Sequence, residues 1–211
     1  MPYVAILHDS ACSSNTQLEV FDTLKMEKIM IDTCYGLVSE AVFDRLKNIK
    51  LLMLDVDGTL TDGGIYLNNE QGEYKRFYTK DGLGLTQLQS NCDCVCAVIT
   101  GRQSHLVERR CEETHIKYVI QGQRDKAPAV LELLAKLGLS KEESAAIGDD
   151  HNDLPMFKEA GFTACPMDAT PFIQKICDIT LHRNGGFGAV RELCDLILMA
   201  KGVMKTDGGF C

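Results

Sequence analysis

The hydrophobic and polar positions of this chain alternate between two patterns over most of its length. Apolar runs at residues 51–54, 95–99 and 145–147 are continuous, which is typical of strands buried on both faces of a parallel sheet. Longer segments with helical periodicity separate these runs and predict crossover helices. The pattern therefore predicts an α/β fold with a central parallel sheet.

Capping signals predict where several helices begin. Ser39 stands as an N-cap before a short helix that ends near Asn48. A capping box spans residues 140–143, and Thr170 precedes a first-turn proline. A last helix is predicted over residues 189–200.

The chain divides into three regions. Residues 1–31 contain no motif but are compatible with a helix over 16–30, residues 32–202 form the main domain, and residues 203–211 are a Gly-rich, flexible tail. Within the main domain, two short β-like segments over 63–78 flank an Asn/Gly turn and predict a hairpin inserted after the first strand. Its aromatic residues need burial, either against partner subunits or on the edge of their own sheet. They are Tyr66, Tyr74, Phe77 and Tyr78.

Polar residues follow the buried strands at the edge of the sheet where ligands bind. They form an acid pair, a hydroxyl, a lysine and an acid cluster, in that order. The residues are Asp55 and Asp57, Thr100, Lys126, and Asp149, Asp150 and Asp153. Each has an ordinary alternative as a turn, cap or solvated residue, but their occurrence together indicates a catalytic site.

This set of residues fits phosphoryl transfer through an aspartyl-phosphate. Asp55 would attack phosphorus, and Asp57 would protonate the leaving alkoxide and later accept a proton from water. Thr100 and Lys126 would stabilise the charge on the phosphoryl oxygens.

Carboxylates at this position also suit Mg²⁺, which prefers oxygen ligands. The predicted ligands are Asp55, Asp149, Asp57 through its backbone carbonyl, and Asp150 or Asp153 through water. An alternative role for Asp153 is to orient Lys126.

Composition restricts the partners of the chain. Its 211 residues are 45% apolar, and 22 basic against 30 acidic residues give a net charge of −8. This balance argues against nucleic acid or an anionic membrane as a partner. No segment has the apolar length of a transmembrane helix, and the N-terminus lacks the pattern of a secretion signal.

Ten cysteines without paired CxxC elements favour free thiols in a reducing compartment, and hence a cytoplasmic location. Cys92, Cys94 and Cys96 alternate along a predicted strand. We interpret them as small buried hydrophobic residues in preference to metal ligands.

The four motifs resemble those of the haloacid dehalogenase-like phosphatases. A short hairpin in place of a cap domain is similar to the smallest, tetrameric subclass of that superfamily. Over residues 32–202 the chain resembles the 3-deoxy-D-manno-octulosonate 8-phosphate (KDO 8-phosphate) phosphatase family in particular. The segments that carry the resemblance are 33–36, 55–63, 80–84, 99–102, 121–123, 148–153 and 188–192.

The resemblance implies a Rossmann-like three-layer α/β/α fold and Mg²⁺-dependent hydrolysis of a phosphorylated acidic sugar on the route to lipopolysaccharide. It implies a homotetramer in which the hairpins form a central barrel and each active site is completed by a neighbour. It also implies substrate contacts by Gly58, Lys80, Gly82, Gly101 and Arg102.

The chain departs from this family at Phe187, where the family usually carries an arginine that helps to bind the acidic sugar. A nonulosonate 9-phosphate (sialic acid or KDN) phosphatase is therefore an alternative. A second alternative is a non-catalytic tetramerisation module of a cytidylyltransferase system, although the intact motif residues argue against an idle site. A gating role for the tail is implied by the family alone.

Overall fold

The structure is a computed structural model, and it describes residues 29–69 and 72–210. The strands are β1 (Met30–Thr33), β2 (Gly36–Ser39), β3 (Leu51–Leu54), β4 (Tyr66–Leu67), β5 (Glu73–Tyr74), β6 (Val95–Ile99), β7 (Tyr118–Ile120), β8 (Ser144–Ile147), β9 (Phe162–Cys165) and β10 (Ile179–Thr180). The helices are α1 (Glu40–Lys47), α2 (Thr79–Asn91), α3 (His105–Glu113), α4 (Ala127–Leu137), α5 (Leu154–Glu159), α6 (Pro171–Ile176) and α7 (Ala189–Ala200). Short 3₁₀ turns span Lys141–Glu143 and His151–Asp153.

Six strands form the central sheet in the order β10-β9-β8-β3-β6-β7, and all neighbouring pairs are parallel. Strand β3 lies between β6 and β8, with Leu54 opposite Val98 on one side and Ile147 on the other. The carboxyl ends of these three strands therefore meet at one edge of the sheet.

Successive residues of β3 point to opposite faces of the sheet, as strand geometry requires. Leu52 and Leu54 contribute to a core with α1, α2, α3 and α7, whereas Leu51 and Met53 contribute to a core with α4, α5 and α6. Because both faces are covered, every position of β3 is apolar and buried. The predicted three-layer α/β/α arrangement with a parallel sheet is confirmed.

Most of the predicted helix starts are confirmed. Ser39 caps α1 by accepting a hydrogen bond from the Val42 amide at 3.4 Å, and α7 spans the predicted residues. The capping box is present, but it bounds only one 3₁₀ turn because β8 begins at Ser144. Thr170 precedes α6 without a side-chain capping bond.

The predicted hairpin is formed by β4 and β5, which pair antiparallel with Tyr66 opposite Tyr74. These two rings are 46% and 60% exposed, whereas Phe77 and Tyr78 are half-buried. The four aromatic residues therefore differ in burial. Phe77 and Tyr78 are partly covered by their own chain, whereas Tyr66 and Tyr74 of the hairpin are exposed in a single chain.

The prediction that three cysteines alternate along a strand is wrong in its boundaries. Strand β6 begins at Val95, so Cys96 alone of the three belongs to it, while Cys92 ends α2. Cys94 and Cys96 are buried, as expected for small hydrophobic residues, and the eight cysteines in the described part of the chain are free thiols.

The predicted N-terminal helix lies outside the described residues except at its end, where Met30 begins β1. At the other terminus, residues 203–210 lie against the β1–β2 turn, where the Cys34 amide donates to the Thr206 carbonyl at 2.7 Å. The mobility and gating role of this tail stay predictions. None of the helices in the described ranges has the length and hydropathy of a membrane span.

Candidate active site

The ends of β3, β6 and β8 bring the predicted motif residues together. Asp55 directly follows β3, and its amide donates to the Ile147 carbonyl at 3.0 Å, which extends the ladder by one residue. Thr100 follows β6 in the same way, bonded to Ile120 at 3.0 Å. Asp55 and Thr100 are each only 2% exposed, so the fold holds two polar side chains in a largely buried position.

Lys126 reaches this position from the start of α4. Its ammonium is fully buried and donates to Asp55 Oδ1 at 2.5 Å and to Asp153 Oδ1 at 2.6 Å. The second carboxylate oxygen of Asp153 accepts the amides of Asp149 and Asp150, at 2.9 and 3.3 Å. Asp153 thus ties the β8 loop to Lys126, which matches the alternative role predicted for it.

Three carboxylates of the described residues approach closely enough to share a cation. One oxygen from each of Asp55, Asp149 and Asp153 lies within 4.8 Å of the others. A set of carboxylate oxygens is the donor chemistry that Mg²⁺ prefers, so these residues fit the ion. The cluster includes Asp153, one of the two acids predicted to reach the ion through water, and among the described residues it does not include the side chain of Asp150 or Asp57.

Those two acids point elsewhere. The Asp150 side chain is 54% exposed and caps the next turn by bonding the His151 amide at 2.7 Å. The Asp57 carboxylate pairs with Lys75 of the hairpin. The predicted contribution of Asp57 to the metal was its backbone carbonyl, and this geometry leaves that prediction open.

Two acids of the cluster, Asp55 and Asp149, have pKa values shifted towards their protonated forms. Burial and, after it, the neighbouring carboxylates of Asp55 and Asp153 together raise the pKa of Asp149 to about 8. Burial likewise raises the pKa of Asp55 to about 7, with Asp153 acting in the same direction and Lys126 against it. Burial alone would lower the pKa of Lys126, but its two carboxylate partners raise it overall. The site therefore stores unfavourable negative charge that a bound cation would relieve.

A glycine-rich strap, residues 185–188, covers the loop after Asp57. The Gly186 amide donates to the Thr59 carbonyl at 3.0 Å, and a Cβ built on Gly185 would lie 1.7 Å from the Gly58 carbonyl oxygen. Gly58 has φ +93°, and a Cβ there would lie 2.2 Å from Asp149 Oδ2. Both positions therefore require glycine for close approach.

The hairpin contributes residues that the sequence did not single out. Lys75, whose side chain is 3% exposed, pairs with Asp57 and lies 3.6 Å from Glu73. Arg102 donates to Glu73 at 2.6 Å and lies 3.8 Å from Asp57. The one available signal was a lysine between aromatic residues of the hairpin, which is too common to assign by itself.

The remaining predicted substrate contacts differ in position. Lys80 lines an open cavity of about 150 Å³ beside the strap, and Gly101 is exposed in the loop after β6. Gly82 lies within α2, and a Cβ there would lie 2.1 Å from a guanidinium nitrogen of Arg110, which also donates to the Tyr78 carbonyl. The predicted contact of Gly82 with the substrate stays a prediction.

The sheet order and the acids at the end of its central strand define a haloacid dehalogenase-like hydrolase. The family model of that description matches residues 104–193. The 3-deoxy-D-manno-octulosonate 8-phosphate phosphatase KdsC of Salmonella typhi is 45% identical over 178 residues, or 84% of this chain and 94% of that protein. The chain therefore belongs to the KDO 8-phosphate phosphatase family.

Solved structures agree with this assignment. The phosphatase of this name from Yersinia pestis superposes with a TM-score of 0.82 at 42% identity, covering 87% of this chain and 98% of its own. That from Moraxella catarrhalis, in complex with magnesium, phosphate and KDO, gives a TM-score of 0.74 at 43% identity. It covers 77% of this chain and 92% of the other.

Proposed function

We propose that this protein is a Mg²⁺-dependent phosphatase that hydrolyses KDO 8-phosphate to KDO and inorganic phosphate. The observation that carries the proposal is the buried cluster at the end of β3, in which Asp55, Lys126 and the acids of the β8 loop share one small volume. The family relationship supports the substrate, because relatives with this name align over most of both chains.

In the proposed mechanism, a carboxylate oxygen of Asp55 attacks phosphorus and forms an aspartyl-phosphate as the sugar alkoxide leaves. Asp57 gives that alkoxide a proton and then accepts one from the water that hydrolyses the intermediate. Thr100 and Lys126 donate to the phosphoryl oxygens. Lys75, which follows the hairpin strand β5, and Arg102, in the loop after β6, would hold the Asp57 carboxylate.

Asp55 and Asp149 would hold the Mg²⁺ ion, with Asp153 or Asp150 in reach through water. When bound, the ion supplies positive charge that stabilises the transferring phosphoryl group. Asp153 would position Lys126, and its 2.6 Å hydrogen bond with that ammonium supports this role.

The assembly and setting are further parts of the proposal. Exposed apolar side chains on the hairpin support association into the expected homotetramer, and the free thiols of the described residues suit a reducing cytoplasm. The product would then serve lipopolysaccharide biosynthesis. We place the phosphatase in residues 32–202, with the preceding residues as an extension and residues 203–211 as a tail that gates a neighbouring site.

The test is phosphate release from a panel of acidic and neutral sugar phosphates with and without Mg²⁺. We expect a clear preference for KDO 8-phosphate and loss of turnover in Asp55→Asn, which keeps the shape of the side chain but removes the nucleophile. A preference for a nonulosonate 9-phosphate would replace the proposed substrate. An oligomer without turnover on any phosphate ester would indicate a tetramerisation module and refute the enzyme.

A further inference from the structure

Arg76 of the hairpin forms a contact with the strap that the mechanism above does not use. Its guanidinium carbon lies 4.1 Å from the centre of the Phe187 ring, and one of its nitrogens donates to the Gly186 carbonyl at 2.8 Å. The attraction between a cation and an aromatic face, together with a hydrogen bond, holds the planar group in one orientation. Phe187 is 50% exposed, so this contact belongs to a surface and not to the core.

The guanidinium keeps most of its donors free for another partner. A guanidinium has five N–H donors, and within the described ranges the Gly186 carbonyl is the one group bonded to that of Arg76. None of the carboxylates described forms an ion pair with it. A fixed and unpaired guanidinium fork matches the geometry of a carboxylate.

The surroundings also favour an anion. The open cavity of about 150 Å³ beside the strap is lined by three cationic side chains, of which Arg191 is paired with Asp195 at 2.8 Å, while Lys80 and Arg183 form no ion pair with any described residue. Its lining residues are Tyr35, Tyr78, Lys80, Arg183, Phe187, Gly188 and Arg191. Two of these residues, Phe187 and Tyr78, also contact Arg76, whose guanidinium carbon lies 4.1 and 5.8 Å from their ring centres. Arg76 therefore lies at the edge of this cavity. In a chain of net charge −8, such local positive charge indicates an anionic ligand group.

This edge is connected to the reacting centre through the backbone. Arg76 directly follows Lys75, which pairs with the Asp57 carboxylate. The strap that Arg76 bonds is itself bonded to Thr59, two residues after Asp57. Arg76 is therefore one residue away from a side chain that contacts the proposed acid and base Asp57, and the strap it contacts is hydrogen-bonded to the same loop.

We propose that Arg76 is a specificity-determining residue that binds the carboxylate of the phosphorylated sugar acid, with Phe187 holding its guanidinium in place. The inference rests on the proposed function. It also accounts for Phe187: the positive charge comes from the hairpin, and position 187 supplies the ring that supports it.

The experiment compares two substrates, KDO 8-phosphate and p-nitrophenyl phosphate, which has no carboxylate. For Arg76→Ala we expect the KM for KDO 8-phosphate to rise about 10- to 100-fold, with a much smaller change for p-nitrophenyl phosphate, because the lost bond to the Gly186 carbonyl affects both substrates alike. Arg76→Lys should give a smaller rise, because an ammonium keeps the charge but not the fork. Adding Phe187→Arg to Arg76→Ala should restore much of the affinity.

Lys136→Ala is the matched control. Lys136 is an exposed cation on α4 whose ammonium lies 5.1 Å from the centre of the Tyr118 ring, so the variant also removes a contact between a cation and an aromatic ring. It should change neither substrate. Equal loss with both substrates in Arg76→Ala, or no loss with either, would overturn the role of Arg76. If the parent enzyme hydrolyses p-nitrophenyl phosphate but not KDO 8-phosphate, the proposed function itself fails, which is a different result.

Discussion

At the scale of single residues, Lys126 has the greatest influence on the electrostatics of the site. Its ammonium is fully buried between Asp55 and Asp153, and Asp149 lies in the same cluster. Breaking a buried ion pair by removing one partner is far more costly than its net contribution to stability, because the remaining charge stays uncompensated. One lysine therefore makes it possible to bury this group of acids.

Lys126→Met should lower the free energy of unfolding by about 3 kcal/mol in Mg²⁺-free buffer, because it leaves the carboxylates without their cation. The loss should be larger at pH 8 than at pH 6, since the acids can take up protons at the lower pH. Urea denaturation at both pH values measures this.

Lys136→Met on the same helix is the control, and it should change the free energy of unfolding little because Lys136 is exposed. Equal stability of Lys126→Met and the control variant would contradict the electrostatic account.

Binding of Mg²⁺ should strengthen as the pH rises. Without a cation, burial raises the pKa of Asp149 to about 8 and that of Asp55 to about 7, so both hold protons at lower pH. The ion requires the ionised carboxylates, so binding must release protons, and affinity should fall about tenfold per pH unit for each proton displaced. Calorimetry in buffers of different ionisation enthalpy measures both quantities.

Asp149→Asn should abolish most of this binding and its proton release. Asp93→Asn is the comparison variant, since its exposed side chain precedes β6, at the amino ends of the parallel strands. An affinity that stays constant between pH 6 and 8 would show that the acids are already ionised.

At the scale of secondary-structure elements, the strap and the hairpin complete an edge that the parallel sheet leaves open. The strap forms a hydrogen bond with the loop after β3. At the end of the hairpin, Lys75 forms an ion pair with Asp57, and Arg76 donates a hydrogen bond to the strap. Neither element contributes to the six-stranded sheet. Their role is to position side chains above it, which is why close backbone approach matters more there than hydrophobic burial.

Gly185→Ala tests this close approach. A Cβ at that position would lie 1.7 Å from the Gly58 carbonyl oxygen, so the strap or the loop must move. We expect a loss of about 1–3 kcal/mol in the free energy of unfolding and a clear fall in kcat, since small displacements of catalytic groups are costly. Thermal unfolding and steady-state kinetics are the measurements.

Gly202→Ala provides the contrast, because φ is +74° there but no atom lies within 4 Å of the added methyl group. It should show only the cost of the left-handed conformation, about 1 kcal/mol, with kcat unchanged. If both variants lose the same activity, contact with the Gly58 loop is not the cause.

At the scale of the whole molecule, one chain leaves apolar surface on the hairpin. Ile65 and Leu67 are 63% and 73% exposed, next to the uncovered rings of Tyr66 and Tyr74. Contiguous exposed apolar groups on a small element usually mark an interaction surface. A short hairpin is also only marginally stable by itself, so association would stabilise it.

Leu67→Glu should therefore reduce the proposed tetramer to smaller species, because it places a charge in an apolar interface. Light scattering coupled to gel filtration measures the mass, and activity should fall together with it if neighbours complete each site. Leu131→Glu is the control, since Leu131 is 52% exposed on α4, away from the hairpin. Unchanged mass in Leu67→Glu would exclude the hairpin as the interface.

Local signals along the chain were sufficient to predict the parallel sheet, the order of the motifs and the chemistry of the site. The continuous apolar run of β3, the Ser39 cap and the acids after each strand are local signals, and local backbone geometry turns them directly into structure. For the same reason Asp55, Thr100 and Asp149 could be placed at one edge of the sheet before any coordinates were known.

Which side chains contact one another at this edge depends on how distant segments pack in three dimensions. Positions 150 and 153 are both aspartate and lie three residues apart. Asp153 is buried and bonds Lys126, whereas the side chain of Asp150 is exposed to solvent. The contacts of Lys75 with Asp57 and of Arg76 with Phe187 join segments far apart in the chain. Such pairs depend on how the hairpin and strap pack over the sheet, and no local period or cap in the sequence encodes that packing.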